Sequence, residues 1–574
     1  AFGSSFVPPE FFYRNFYEIN NSGKFKMLYH GGSFSMFYKT YREVTIWGDG
    51  SIPVASKSTI RNSNLNFIPG CGYGKRGDIL DAHILKKDFC FTHEGHSIPN
   101  PGLQSGLLVD SFINSIISQY TINQYCEQHK SNGYVNLLPM PDHAQRQKDI
   151  DRIVTEIIDI KRWWFSLDET NLEYRGLLAQ INVKESIAYA LVSWQDKLTA
   201  DYARYQELVK ENDDLWMDLA DIESESEFRK TLNDYKSRRP YEELISIDGG
   251  SSENIINQQT FAKEIVMELV GMAFGRWTMT GVTFGTVPEF NGIFDALPFM
   301  PKVALNTSEL LEYYIPLPMN GLLFGGAKHN NSIVKRVQLV MQKLWNNKAD
   351  DIEYELCQMI GCESLEDYFA NMGAGGFFDY HFKRYTKSRR KAPIYWPISS
   401  QSGDTVVWCY YPRLSEQTIP AVLLMLSSER NTLQGELNGA MGTGDRKLEN
   451  KLRTAISEIE SLEIELTRVN NLPYKPCHDD GVPVTAAPLL NCFRHVAWKN
   501  ECADNWNKLD SGEYDWSHLS YSIYPERIRT KVKKDWCLAL THGLEELCDN
   551  KPKEKKTRKK KTTQIEAQFD FGED

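Results

Sequence analysis

Several features that would fix a function at once are missing from this chain. No apolar run approaches the roughly 18 residues a helix needs to cross a bilayer, and no basic-then-apolar leader opens the sequence, so the chain reads as neither membrane-spanning nor exported. The 11 Cys include no CxxC pair and no regular spacing, which excludes a disulfide framework and predicts free thiols in a reducing cytoplasm. A P-loop, an HExxH helix motif and a GxSxG elbow are all absent, removing the common signatures of nucleotide hydrolysis, zinc proteolysis and serine esterase chemistry. A net charge of −11 excludes long-range attraction of the whole molecule to a polyanion, so any such contact must rest on local patches.

What is present is aromatic and locally basic. The chain of 574 residues, long enough for three or four units, carries 28 Tyr, 28 Phe and 13 Trp. Residues 1–150 hold a small surplus of cations in this acidic chain, and Tyr380–Trp396 (YHFKRYTKSRRKAPIYW) sets Lys383, Arg384, Lys387, Arg389, Arg390 and Lys391 between aromatic rings. Cations beside rings suit a polyanion, because the charges contact phosphates while ring faces and guanidiniums stack on bases. The same pattern also fits a solvated helix face followed by a loop. A second group, Lys57, Arg61, Asn62, Tyr73, Lys75 and Arg76, lies around the Gly-rich stretch GCGYG at 70–74. Small residues there let backbone approach phosphate, while Arg pairs with guanine and Asn with adenine. GCGYG itself reads as a turn, since no strand-plus-helix context for nucleotide binding flanks it.

The predicted organisation is α+β and multidomain. Residues 1–145 alternate short β-like runs (26–29, 43–47, 66–69, 89–92) with Gly, Asn and Pro, followed by a helical pattern from Gly102 to His129 and an extended YVNLLPMP. Residues 146–240 read as a helical spacer with Ile153, Ile157, Ile160 and Trp164 on one face. Residues 241–430 read as an α/β unit: a buried helix at 261–279, helices at 333–345 and 352–372, and then the basic helix end and loop mounted on a β-hairpin at 392–412. Leu448, Leu452, Ala455, Ile459, Leu462 and Leu466 predict a coiled-coil-like helical hairpin over 431–474. A compact end piece at 475–548 and a charged, disordered tail at 549–574 complete the chain. The set Cys71, His83, Cys90, His93 and His96 matches no common zinc spacing, and His478-Asp479-Asp480, beside Gly481 and Pro483, reads as a turn, so no metal site and no catalytic residue are expected.

HGGSFSMFYKTYREVTIW, PGCGYGKRGD, LLVDSFINS with YVNLLPMP, MAFGRW, KSRRKAPIYW, DDGVPVTAAPLL and the block from SGEYDWSHLSYSIYPERI to HGLE occur in one order. Together they resemble the target-recognition and C-terminal part of PglX-like adenine-specific DNA methyltransferases of BREX phage-defence systems, related to DISARM and type IIG restriction-modification enzymes. The Asn/Asp-Pro-Pro-aromatic tetrad and the methyl-donor loop of such enzymes are not found in this chain. The resemblance therefore implies a recognition half, cut from a longer protein or encoded separately. It would hold double-stranded DNA while S-adenosylmethionine binds a catalytic domain or partner subunit, with other phage-defence proteins as further partners. It places Lys57, Arg61, Asn62, Tyr73, Lys75 and Arg76 as base or phosphate readers and the 383–391 cluster as phosphate anchors. The competing expectation is a protein-interaction scaffold of a defence complex.

Overall fold

The computed structural model describes residues 3–20, 23–32, 34–100, 103–181, 183, 186–237, 257–277, 290–298, 301, 318–387 and 389–551. The loop expected before residue 257 and the charged tail after Lys551 lie outside these residues.

The N-terminal unit holds seven short strands: β1 (Tyr13–Asn15), β2 (Phe25–Tyr29), β3 (Glu43–Ile46), β4 (Gly70–Gly74), β5 (Ala82–Leu85), β6 (Phe89–Phe91) and β7 (Gly95–Pro99). They form two sheets, one ordered β1-β3-β2-β6 with β2 and β6 parallel, the other an antiparallel β5-β4-β7. Three of the four expected runs are strands; residues 66–69 instead lead into β4, and GCGYG is the central strand of its sheet rather than a turn. Its glycines are there for packing. A Cβ on Gly70 would lie 2.1 Å from the Ile98 carbonyl oxygen, and one on Gly72 would lie 2.8 Å from the Tyr29 ring, so neither position accepts a side chain. All five residues of β4 are buried, which is not the exposed loop that cradles a nucleotide phosphate.

The helical stretch after β7 breaks once, at Ser115, whose Oγ accepts the Ser118 amide and caps the second helix, giving Leu103–Asn114 and Ile116–Tyr125. Two buried amides on these helices protect the edge strand. Asn114 accepts the Ala82 N–H (3.0 Å) and donates to the Ala82 carbonyl (2.9 Å), while Gln119 accepts the Leu80 N–H (3.0 Å) and donates to its carbonyl. YVNLLPMP is not extended: Asn132–Val135 is a helical turn.

The expected spacer is helical, with Gln147–Phe165 and a 33-residue helix Ile187–Leu219, but it packs directly on Leu103–Asn114 and closes the N-terminal core. Ile153, Ile157 and Trp164 are buried, as their period predicts, and Ile160 is half-buried. Gln258–Phe274 is buried from Phe261 onward, apart from half-buried Lys263. Around it sit helices Ile333–Trp345, Ala349–Ile360 and Phe377–Arg384 and the sheet made by β8 (Leu322–Phe324), β11 (Tyr395–Ser399) and β12 (Val406–Tyr410), in the order β11-β12-β8. Between that last helix and β11 the basic stretch folds into a two-residue ribbon, β9 (Thr386–Lys387) against β10 (Arg390–Lys391).

The helical hairpin is longer than its heptads predict, since Thr418–Thr443 packs antiparallel on Arg446–Asn471 and so begins before residue 431. The end piece is wholly helical, built on Val496–Ser511, His518–Ile523, Pro525–Val532 and Trp536–His542. The chain is thus an α+β multidomain protein. No helix among the described residues is long and apolar enough to cross a membrane.

Candidate nucleic-acid interface

The basic ribbon sits where the N-terminal unit, the central helices and the end piece meet, and most of its charge is used there. Arg390 makes a two-pronged pair with Glu18, Nε to Oε1 at 2.5 Å and Nη2 to Oε2 at 2.6 Å. Glu18 is fully buried and also accepts the amides of Asn15 (2.8 Å) and Val482 (3.1 Å). Burial works against the Glu18 charge, but Arg390 and these amides hold its carboxyl below the usual carboxylate range.

Arg384, also buried, reaches Glu264 (2.6 Å from Nε) and Asp168 (2.9 Å from Nη2). Desolvation opposes its charge, yet Asp168 and Glu264 outweigh it and keep the guanidinium protonated. Arg276 and Tyr385 converge on Glu169 in the same layer. Arg384 and Arg390 are therefore internal clamps between units rather than phosphate anchors, a role no local spacing signals.

Lys383 pairs with Asp379 at 2.7 Å across one helical turn and Lys391 with Glu501 at 2.8 Å; such partly exposed pairs contribute little and exchange partners readily. Arg389 is exposed at the tip of the ribbon, and Lys387 is half-buried beside it. Burial first, then Arg42, pulls the Lys387 ammonium down to about 8.

Lys387, Arg389 and Arg390 line one wall of a cavity of about 620 Å³, a volume suited to a small-molecule or nucleotide-sized group. The N-terminal residues Phe6, Tyr13 and Arg14 and, from the end piece, Lys508, Tyr514 and Trp516 also line it. The Arg14 guanidinium lies 5.1 Å from the Trp516 ring centroid, and Tyr514 and Trp516 are 5.0 Å apart. Glu10, Glu43, Glu501 and Asp504 also face the space, so its charge is mixed and it offers acceptors for amino groups as well as cations for phosphate.

None of the earlier group of candidates lines this cavity; the loop that holds Lys57, Arg61 and Asn62 is joined to it through the segment 4–7. Ser5 exchanges both backbone bonds with Thr59 (2.9 and 2.8 Å), Val7 donates to the Ser58 hydroxyl, and the Arg61 amide donates to the Ser4 hydroxyl. Lys57, Arg61 and Asn62 are all exposed on that loop, Asn62 in the left-handed region at φ 46° that Asn tolerates. On the other side, His93 bonds Ser4 and lines the cavity, and its neighbour Glu94 holds both Lys75, through its carbonyl, and Arg76, through its carboxylate at 3.0 Å. Arg76 remains two-thirds exposed.

Tyr73 does not join them. It is fully buried in β4, with its hydroxyl 3.1 Å from His96 Nδ1, and is a core residue rather than a base reader. Arg14, Lys508, Tyr514 and Trp516 carry no local signal in the sequence; YDWSHL brings in Tyr514 and Trp516 only as part of a longer resemblance, and Arg14 looks like one more residue in an aromatic run.

No family model matches the chain. One curated protein, a cytochrome c biogenesis protein CcsA of Prochlorococcus marinus, is 28% identical over 140 residues, which is 23% of this chain and 41% of that protein. The chain thus spans about two-fifths of the length of the relative it matches, and most of both chains lies outside the match.

Proposed function

We propose that this chain is the DNA-binding, target-recognition portion of a site-specific N6-adenine DNA methyltransferase of a bacterial phage-defence system, acting in the cytoplasm. Methyl transfer from S-adenosylmethionine belongs, on this reading, to a separate catalytic domain or subunit. The observation that carries the proposal is that two basic stretches about 300 residues apart are linked to one aromatic-lined cavity: Lys387 and Arg389 line it, and 57–76 is hydrogen-bonded to segments 4–5 and 93–94, of which Ser5 and His93 line it too. Lys387 and Arg389 then anchor phosphate at the ribbon, while Lys57, Arg61, Asn62, Lys75 and Arg76 form the neighbouring face that meets base edges.

Duplex binding measured by fluorescence anisotropy over a salt series tests this. Replacing Lys387 and Arg389 by Met lowers the affinity for all duplexes and reduces the slope of log K against log salt by about 0.9 for each phosphate no longer neutralised. Replacing Lys75 and Arg76 by Ala removes sequence preference while leaving most of the nonspecific affinity. Absent or salt-insensitive binding by the unaltered chain refutes the proposal.

A further inference from the structure

The turn that opens the end piece brings together a set of metal-ligand side chains that the DNA reading does not use. Cys477 precedes the short 3-10 turn His478–Asp480, and a 3-10 turn repeats every three residues, so Cys477 and Asp480 fall on one side of it. Asp480 is buried, and its carboxylate fixes the start of the helix His518–Ile523 by accepting the amides of His518 and Leu519, each at 2.8 Å. That places the His518 ring against the turn, with Nδ1 3.1 Å from Asp480 Oδ1. One ligand atom each from Cys477, Asp480 and His518 then lie within 4.8 Å of one another.

A second histidine lies beside this cluster. His542 donates its Nε2–H to the Asp515 carbonyl at 2.7 Å, which fixes the tautomer and leaves Nδ1 with its lone pair. That Nδ1 is buried and has no partner. A backbone carbonyl on the far nitrogen is the usual support for a metal-bound histidine. The His518 and His542 ring centroids are 5.8 Å apart, wider than the roughly 5 Å that two imidazoles adopt when Zn–N bonds of about 2.0 Å meet at a tetrahedral angle, so His542 stands beside the three-residue cluster rather than in it. A cavity of about 50 Å³, lined also by Arg14 and Lys24, adjoins His518 and Asp480 and has room for a water.

We propose that Cys477, Asp480 and His518 bind a zinc-type divalent ion, with water in the remaining position, that ties the opening turn of the end piece to the helix His518–Ile523. Thiolate and carboxylate neutralise the two positive charges, and a sulfur, nitrogen and oxygen donor set favours zinc over magnesium or calcium. On binding, the Cys477 thiol and the His518 ring release their protons to solvent, and the His518–Asp480 hydrogen bond gives way to bonds to the metal.

The test uses the full chain, purified under reducing conditions, stripped with chelator and titrated with Co²⁺. One equivalent is expected to give tetrahedral d–d bands and a thiolate-to-cobalt charge-transfer band, both displaced by one equivalent of Zn²⁺. Cys477→Ser is expected to abolish the charge-transfer band and His518→Ala to weaken binding about tenfold or more, while Cys537→Ser, outside the cluster, binds as the parent does. A readout that needs no variant is the alkylation rate of Cys477 followed by peptide mass spectrometry, which zinc is expected to slow about tenfold or more as it takes up the thiolate. Absence of stoichiometric binding by the unaltered chain, a charge-transfer band that survives Cys477→Ser, or alkylation unaffected by zinc overturns the proposal.

Discussion

Replacing Arg384 by Met separates the two roles open to the basic stretch, structural clamp and DNA contact. The guanidinium is buried and satisfies Glu264 through two hydrogen bonds (2.6 and 3.2 Å) and Asp168 through one at 2.9 Å. Asp168 keeps Arg42 at 3.6 Å and the Thr170 amide, so the group orphaned by the substitution is Glu264, left with the Tyr380 hydroxyl and no cation. Leaving one partner of a buried pair uncompensated costs about 3–5 kcal/mol. With a urea m value of about 1–3 kcal/mol per molar for a unit of ordinary size, the transition of the central unit moves down by roughly 1–5 M.

Tryptophan fluorescence reads that shift directly, because Trp277 and Trp408 are buried in the same unit. Adding Glu264→Gln in the Arg384→Met background recovers part of the stability by removing the orphaned charge, whereas Arg389→Met, at an exposed position, changes stability by no more than about 0.5 kcal/mol. The clamp role is refuted if Arg384→Met unfolds with the parent yet binds duplex as poorly as Lys387→Met does. That result would make Arg384 a phosphate contact.

Glu268 gives a pH test. Burial raises its carboxyl to about 8, although the Leu178 amide at 2.8 Å opposes the shift. A folded-state value above the unfolded one means that stability is greatest while the group stays protonated and is lost as pH rises from about 4.5 to 8. The loss is on the order of 4–5 kcal/mol. Glu268→Gln should match the parent near pH 5 and melt at higher temperature above pH 8, and a difference independent of pH would contradict this. Gly70→Ala drives a Cβ to 2.1 Å from the Ile98 carbonyl oxygen and should separate β4 from β7, at a cost of about 1–3 kcal/mol or more, read as a lowered melting temperature of the N-terminal unit. An unchanged melt would show that the strand pair yields easily.

Elements whose cause is local were determined by the sequence itself. The steps of four and three from Leu452 to Leu466 bury one stripe of a helix, although Leu448, the first position of the expected seam, is exposed, and the aromatic and β-branched runs on either side of a Ser/Gln/Gly/Asp turn form β11 and β12. The helical period through Phe378 and Phe382 likewise placed the basic stretch at a helix end. The tertiary structure alone decided what its charges do. Arg390 meets a carboxylate 372 positions away and Arg384 one 120 positions away, and residue type gives a cation no information about a partner at that distance. GCGYG reads as a turn because glycine favours turns; it is a strand because it pairs with β5 and β7, and its Gly70 and Gly72 are glycines because the Ile98 carbonyl and the Tyr29 ring leave no room for a side chain there. Cys477 and His518 are unremarkable singles in the chain and become neighbours only because Asp480 holds the start of a distant helix. Periodicity encodes which face of an element is buried, but which charges and ligands meet depends on how separate elements pack.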